Sequence, residues 1–139
     1  MHELLLFLPS PKDKSKFYYM LGRVMIFDDD TDLIEVCSIV LKSKNYEVRG
    51  FTKCTDILDE VRLFSPNVIL MDNWMPDMSG VQAIQYIKAQ EAFKRIPIIF
   101  FSASSNVEEL AKQAGADELL KKPFDMFTLQ QMIAKLVMS

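Results

Sequence analysis

Five short strand-like runs, most of them apolar throughout, alternate along this chain with stretches whose apolar residues recur at helical spacing. The runs are Val24-Met25-Ile26-Phe27, Tyr46 to Phe51, Val68-Ile69-Leu70-Met71, Ile96 to Phe101 and Leu119-Leu120. Stripes follow each of them: Leu33, Val36, Cys37, Val40 and Leu41, then Cys54, Ile57, Leu58 and Val61, then Val81, Ile84 and Ile87. Val107, Leu110, Ala111 and Ala114 form the fourth, and Leu129, Met132, Ile133, Leu136 and Val137 the fifth. Short apolar runs read as strands, and a 3.6-residue stripe reads as a helix. Strands without polar alternation, separated by helices, indicate a parallel sheet covered on both faces. The expected fold is therefore α/β, a doubly wound three-layer sandwich.

Punctuation residues agree with this order. The second helix should stop before Pro66, Gly80 should open the third, and Gly115 should end the fourth. Pro97 falls near the start of the fourth run, where a strand tolerates proline best. At the first helix, Asp32 and Glu35 are spaced as a cap pair, and Asp30, Thr31 and Asp32 read as helix-start residues. At 139 residues there is room for one domain, placed at 23–139. Residues 1–22 hold neither period and are expected to be a loosely ordered N-terminal extension.

Several function classes are excluded early. Sixteen basic and nineteen acidic residues, with no basic stripe, predict no direct nucleic-acid contact. Two cysteines, Cys37 and Cys54, cannot build a four-cysteine zinc site or a disulfide scaffold. His2 is the sole histidine, so no histidine-based triad or multi-histidine metal site is available. The early apolar run, Leu4 to Leu8, is far below the roughly twenty residues of a spanning helix. It is also shorter than a signal-peptide core, so a cytoplasmic chain with reduced thiols is expected.

In a doubly wound sheet the functional crevice lies beyond the carboxyl ends of the strands, where strand order reverses. The residues at those ends are Asp28, Asp29 and Asp30, then Asp72, then Ser102, then Lys121, Lys122 and Pro123. Carboxylates crowded there repel, by about 4 kcal/mol per pair at 4 Å and an effective dielectric near 20. A hard divalent cation such as Mg²⁺ relieves this, and an ammonium from another strand adds fixed positive charge. Cation, ammonium and hydroxyl together suit a transferring phosphoryl group, with one carboxylate as nucleophile. Helix capping could explain any one of these residues, but not all of them at one sheet edge.

Four segments, Phe27-Asp28-Asp29-Asp30, Met71-Asp72-Asn73-Trp74-Met75-Pro76-Asp77-Met78-Ser79-Gly80, Phe101-Ser102-Ala103 and Lys121-Lys122-Pro123-Phe124, resemble the receiver domain of two-component response regulators. The resemblance covers about Arg23 to Ser139. It implies a flavodoxin-like (βα)5 fold with strand order 2-1-3-4-5. It further implies Asp72 as phosphoacceptor, Asp28 and Asp29 as the acidic pair for Mg²⁺, and the Trp74 backbone carbonyl as a further ligand. Ser102 would be the switch hydroxyl, Lys122 would pair with the phosphoryl group, and the Lys122–Pro123 bond would be cis.

The implied partners are a sensor histidine kinase or histidine phosphotransfer protein as donor, and a protein target at the face of the fourth helix, fifth strand and fifth helix. No membrane contact is implied, nor any enzymatic activity beyond self-catalysed phosphotransfer and autodephosphorylation. Leu119 departs from the pattern, since an aromatic switch residue usually lies three positions before the lysine. That departure motivates an alternative, a degenerate receiver acting only as a protein-binding module. A second alternative is a haloacid-dehalogenase-like phosphohydrolase, for which Asp28 and Asp30 fit an Asp-x-Asp motif but Asp32 does not fit its fifth position. No output domain is expected within these residues after the fifth helix, and the chain is expected to be a stand-alone receiver or a fragment.

Overall fold

A computed structural model describes residues 20–139. The expected extension at 1–22 lies almost entirely outside the described residues. Strand β1 is Gly22–Phe27, followed by helix α1 (Thr31–Ser43), β2 (Tyr46–Phe51), α2 (Ile57–Phe64) and β3 (Val68–Asp72). Then come α3 (Gly80–Lys88), β4 (Ile98–Ser102), α4 (Val107–Ala114), β5 (Glu118–Lys121) and α5 (Met126–Met138). The five strands form one parallel sheet in the order β2-β1-β3-β4-β5, as expected.

Strand pleating divides the apolar residues between two cores. Met25, Phe27, Ile69, Met71, Ile98 and Phe100 face one side and pack with α2, α3 and α4 through Val61, Ile84 and Ala111. Val24, Ile26, Val68, Leu70, Ile99 and Phe101 face the other and pack with Cys37 and Leu41 of α1 and Leu129 and Ile133 of α5. Every residue of β3 and β4 is buried. That is why these strands are apolar along their whole length rather than at alternate positions.

Two local expectations need correction. The cap of α1 is Asp30 rather than an Asp32–Glu35 pair. Asp30 has non-helical backbone angles (φ −83°, ψ 101°), and its carboxylate accepts from the amides of Asp32 and Leu33. The strand β4 begins at Ile98, so Ile96 and Pro97 of the expected run precede it. The remaining punctuation falls as expected. The helix α2 ends at Phe64, capped by Ser65 before Pro66, and Gly115 closes α4 at φ 80°. At α3 the entry is a capping box, with the Ser79 hydroxyl accepting from the Gln82 amide and the Gln82 side chain accepting from the Ser79 amide.

Candidate functional site

Register places the site. Phe27 of β1 is level with Met71 of β3, so the next residues, Asp28 and Asp72, leave the sheet side by side. Asp72 is level with Phe101, and Ser102 with Lys121, which brings the ends of β4 and β5 into the same row. Asp28, Asp29 and Asp72 each offer a carboxylate oxygen, and these oxygens lie within 4.8 Å of one another. Asp28 and Asp72 are buried, at 0% and 3% exposure, whereas Asp29 faces solvent.

Lys122 joins the two buried acids. Its Nζ lies 2.7 Å from Asp28 Oδ2 and 3.0 Å from Asp72 Oδ1. The opposite oxygen of each carboxylate accepts an amide two residues on, Asp30 N–H at 2.9 Å and Trp74 N–H at 3.1 Å. Burial pushes the Asp28 carboxyl above its ordinary range, and neighbouring Asp72 adds to this. The Lys122 and Asp30 hydrogen bonds oppose the rise without cancelling it. Burial works against the charged form of Lys122, but its bonds to Asp28 and Asp72 outweigh that and raise its value. The ammonium also sits 4.8 Å from the centre of the buried Phe101 ring.

The neighbouring Lys121 points elsewhere, reaching Glu108 at 3.4 Å across an exposed surface. Adjacent residues at the end of a strand face opposite ways, which separates the two lysines. Ser102 is fully buried, and its hydroxyl donates to Ser104 Oγ at 3.1 Å. The Lys122–Pro123 peptide is cis. Trp74 is 67% exposed at the rim, in a loop closed by the Gly80 amide on the Asn73 carbonyl. Leu119 is partly buried against the α2–α4 side of the core.

Asp77 was not singled out from the sequence. Its carboxylate accepts the Cys54 amide at 2.9 and 3.0 Å and the Thr55 hydroxyl at 3.1 Å. It thereby ties the Trp74 loop to the turn before α2. An acid in a short loop between Pro76 and Gly80 was the available signal, but the partners are 22 and 23 residues away.

The donor set suits a divalent cation. Magnesium–oxygen distances of about 2.1 Å put opposed ligands about 4.2 Å apart. Adjacent ligands of such an ion lie only about 3.0 Å apart, so three carboxylate oxygens within 4.8 Å of one another are close enough to share one ion once they draw together. All three are oxygen donors, the type Mg²⁺ selects.

With fold and site in place, comparison with known proteins identifies the class. The response regulator receiver domain model matches residues 24–134, and the chain belongs to that family. The DNA-binding response regulator MtrA of Mycolicibacterium paratuberculosis is 29% identical over 107 residues, covering 76% of this chain and 46% of that protein. The chain therefore spans less than half the length of MtrA. Protein PilG of Pseudomonas aeruginosa is 32% identical, covering 73% of this chain and 77% of PilG. Among solved structures, the receiver domain of a Pseudomonas aeruginosa sensor histidine kinase, determined with magnesium in its active-site cleft, superposes with a TM-score of 0.78. It is 28% identical and covers 85% of this chain and 98% of that one. Neither the family nor the fold favours the phosphohydrolase alternative.

Proposed function

We propose that this chain is a phosphoacceptor signalling domain, in which Asp72 receives a phosphoryl group from a phosphohistidine and partner binding changes as a result. One observation carries this: three carboxylates within 4.8 Å and a lysine bridging two of them, at the strand ends of a receiver fold. The donor would be a sensor histidine kinase or a histidine phosphotransfer protein, since the sole histidine of this chain is His2.

Asp28, Asp29, Asp72 and the Trp74 carbonyl would hold Mg²⁺, which when bound neutralises charge on the phosphoryl oxygens. An Asp72 oxygen forms the new P–O bond while the donor P–N bond breaks, and the imidazole nitrogen keeps that electron pair. Lys122 holds fixed positive charge beside Asp72, where the transferred oxygens arrive. Ser102 ends β4 in the same row and supplies a hydroxyl donor to one of those oxygens. The reaction is transfer to the protein itself, followed by autodephosphorylation, rather than turnover of a free substrate.

A downstream protein would bind the α4–β5–α5 face, which carries the Glu108–Lys121 and Glu118–Lys135 ion pairs. A cytoplasmic location fits such a partner set, and among the described residues no helix is long and apolar enough to cross a membrane. The test is incubation with a small acyl phosphate and Mg²⁺, followed by intact mass measurement. One added phosphoryl group, mapped to Asp72 and absent in Asp72→Asn, is expected. Undiminished labelling of that variant would remove Asp72 from the role. A wild-type protein that takes up no phosphoryl group would favour the degenerate binding module.

A further inference from the structure

The Ser102 hydroxyl is already committed. It has one proton, and that proton is donated to Ser104 Oγ at 3.1 Å. The same oxygen accepts the Ser104 amide, also at 3.1 Å. Among the described residues it has no other partner, and Ser102 is fully buried, so water does not compete for it. A phosphoryl oxygen on Asp72 would need the same proton. A hydroxyl donates only one hydrogen bond at a time. Gaining the phosphoryl contact therefore requires giving up Ser104.

Resting on the phosphoacceptor role proposed for Asp72, we infer that Ser104 is a positioning residue that holds the Ser102 hydroxyl in the unphosphorylated arrangement. The exchange of that bond opposes the phosphorylated state. Ser104 lies just beyond the end of β4 and is partly exposed, so it gains a water partner when released. The backbone carries the consequence onward, because the Ser102 carbonyl accepts the Lys122 amide at 3.0 Å. Any backbone adjustment at Ser102 therefore reaches the segment that also presents the bridging ammonium. This route does not use residue 119, where the chain has leucine.

The test is titration of the Mg²⁺-loaded full chain with beryllofluoride, read by Trp74 fluorescence and by the bound ¹⁹F resonance. Ser104→Ala removes the acceptor but keeps the amide, so the Ser102 proton is freed while its oxygen stays anchored. Affinity should rise by about 3- to 10-fold, the range set by one neutral hydrogen bond. Ser104→Thr retains a hydroxyl and should match the wild type. In a Ser102→Ala background, Ser104→Ala should change nothing, since the shared proton is gone. Unchanged affinity in Ser104→Ala overturns the inference, as does the same tightening with Ser102 absent. If the wild type itself binds no beryllofluoride, the phosphoacceptor role of Asp72 fails and the inference with it.

Discussion

Two buried carboxylates share one ammonium at the end of the sheet, and the balance among these three groups sets what single substitutions do. Asp28 has a raised value because burial opposes its charge more than Lys122 and the Asp30 amide favour it. A raised folded-state value contributes stability below the ordinary carboxylate range and loses it as pH rises through the folded value. Negative charge on Asp28 is therefore a cost to the metal-free fold. Asp28→Asn should raise the unfolding midpoint in metal-free buffer, against the usual destabilising trend of point changes. A lower midpoint at pH 7 would mean that pairing with Lys122 outweighs burial. Lys122→Ala should act oppositely, leaving two buried acids facing each other and a deficit that shrinks on acidification. Lys121→Ala, which breaks an exposed pair, should cost within about 1 kcal/mol. That these groups meet was legible in the sequence, because strand ends in a parallel sheet stand level. The Ser102–Ser104 bond was not, since a hydroxyl rotor follows from the folded backbone rather than from spacing.

The loop between β3 and α3 is the element on which the site depends most. A Cβ on Gly80 would run into the Asp72 carbonyl oxygen and the Asn73 backbone, atoms that cannot rotate aside. Gly80→Ala should therefore cost about 1–3 kcal/mol, the range for forced backbone shifts, measured by denaturant unfolding. Asp77 holds the far side of the loop. The Cys54 amide, chiefly, keeps the Asp77 carboxyl below its ordinary range, with the Thr55 hydroxyl assisting. A depressed carboxylate contributes stability above the ordinary range and loses it as pH falls through the folded value. Asp77→Ala should speed hydrogen exchange at the Cys54 amide while amides within β3 keep their protection. Equal exchange at Cys54 would show that the tie is incidental. Element order and type were readable because the apolar periods are unambiguous. Asp30 reads from the sequence as a helix-start residue, but Asp30, Asp32 and Glu35 all satisfy cap statistics, and only backbone angles choose Asp30 over an Asp32–Glu35 pair.

At the scale of the whole molecule, the proposed cation site draws its ligands from β1 and β3, the neighbours at which strand order reverses. Lys122 ties the end of β5 to the same pair of carboxylates. No local segment carries this set, so unfolding the sheet disperses the ligands, and a cation that binds there binds the native state alone. Such a ligand stabilises by about 2.7 kcal/mol at a hundred times its dissociation constant. For a domain of this size each kcal/mol moves the midpoint by about 4 °C. Saturating Mg²⁺ should thus raise the thermal midpoint by about 10 °C in the wild type. Asp29→Ala removes one solvent-facing ligand and should lose most of that rise while leaving the metal-free midpoint near its original value. Asp30→Ala should show the reverse, a lower metal-free midpoint from the lost α1 cap and an undiminished Mg²⁺ increment. Asp28→Asn should start higher than the wild type without Mg²⁺ and gain little from it, so the two melting series cross as Mg²⁺ is added. Parallel rather than crossing series would show that the charge penalty at Asp28 and the cation site are separate features, and that Asp28 is not a ligand of the ion that raises the midpoint.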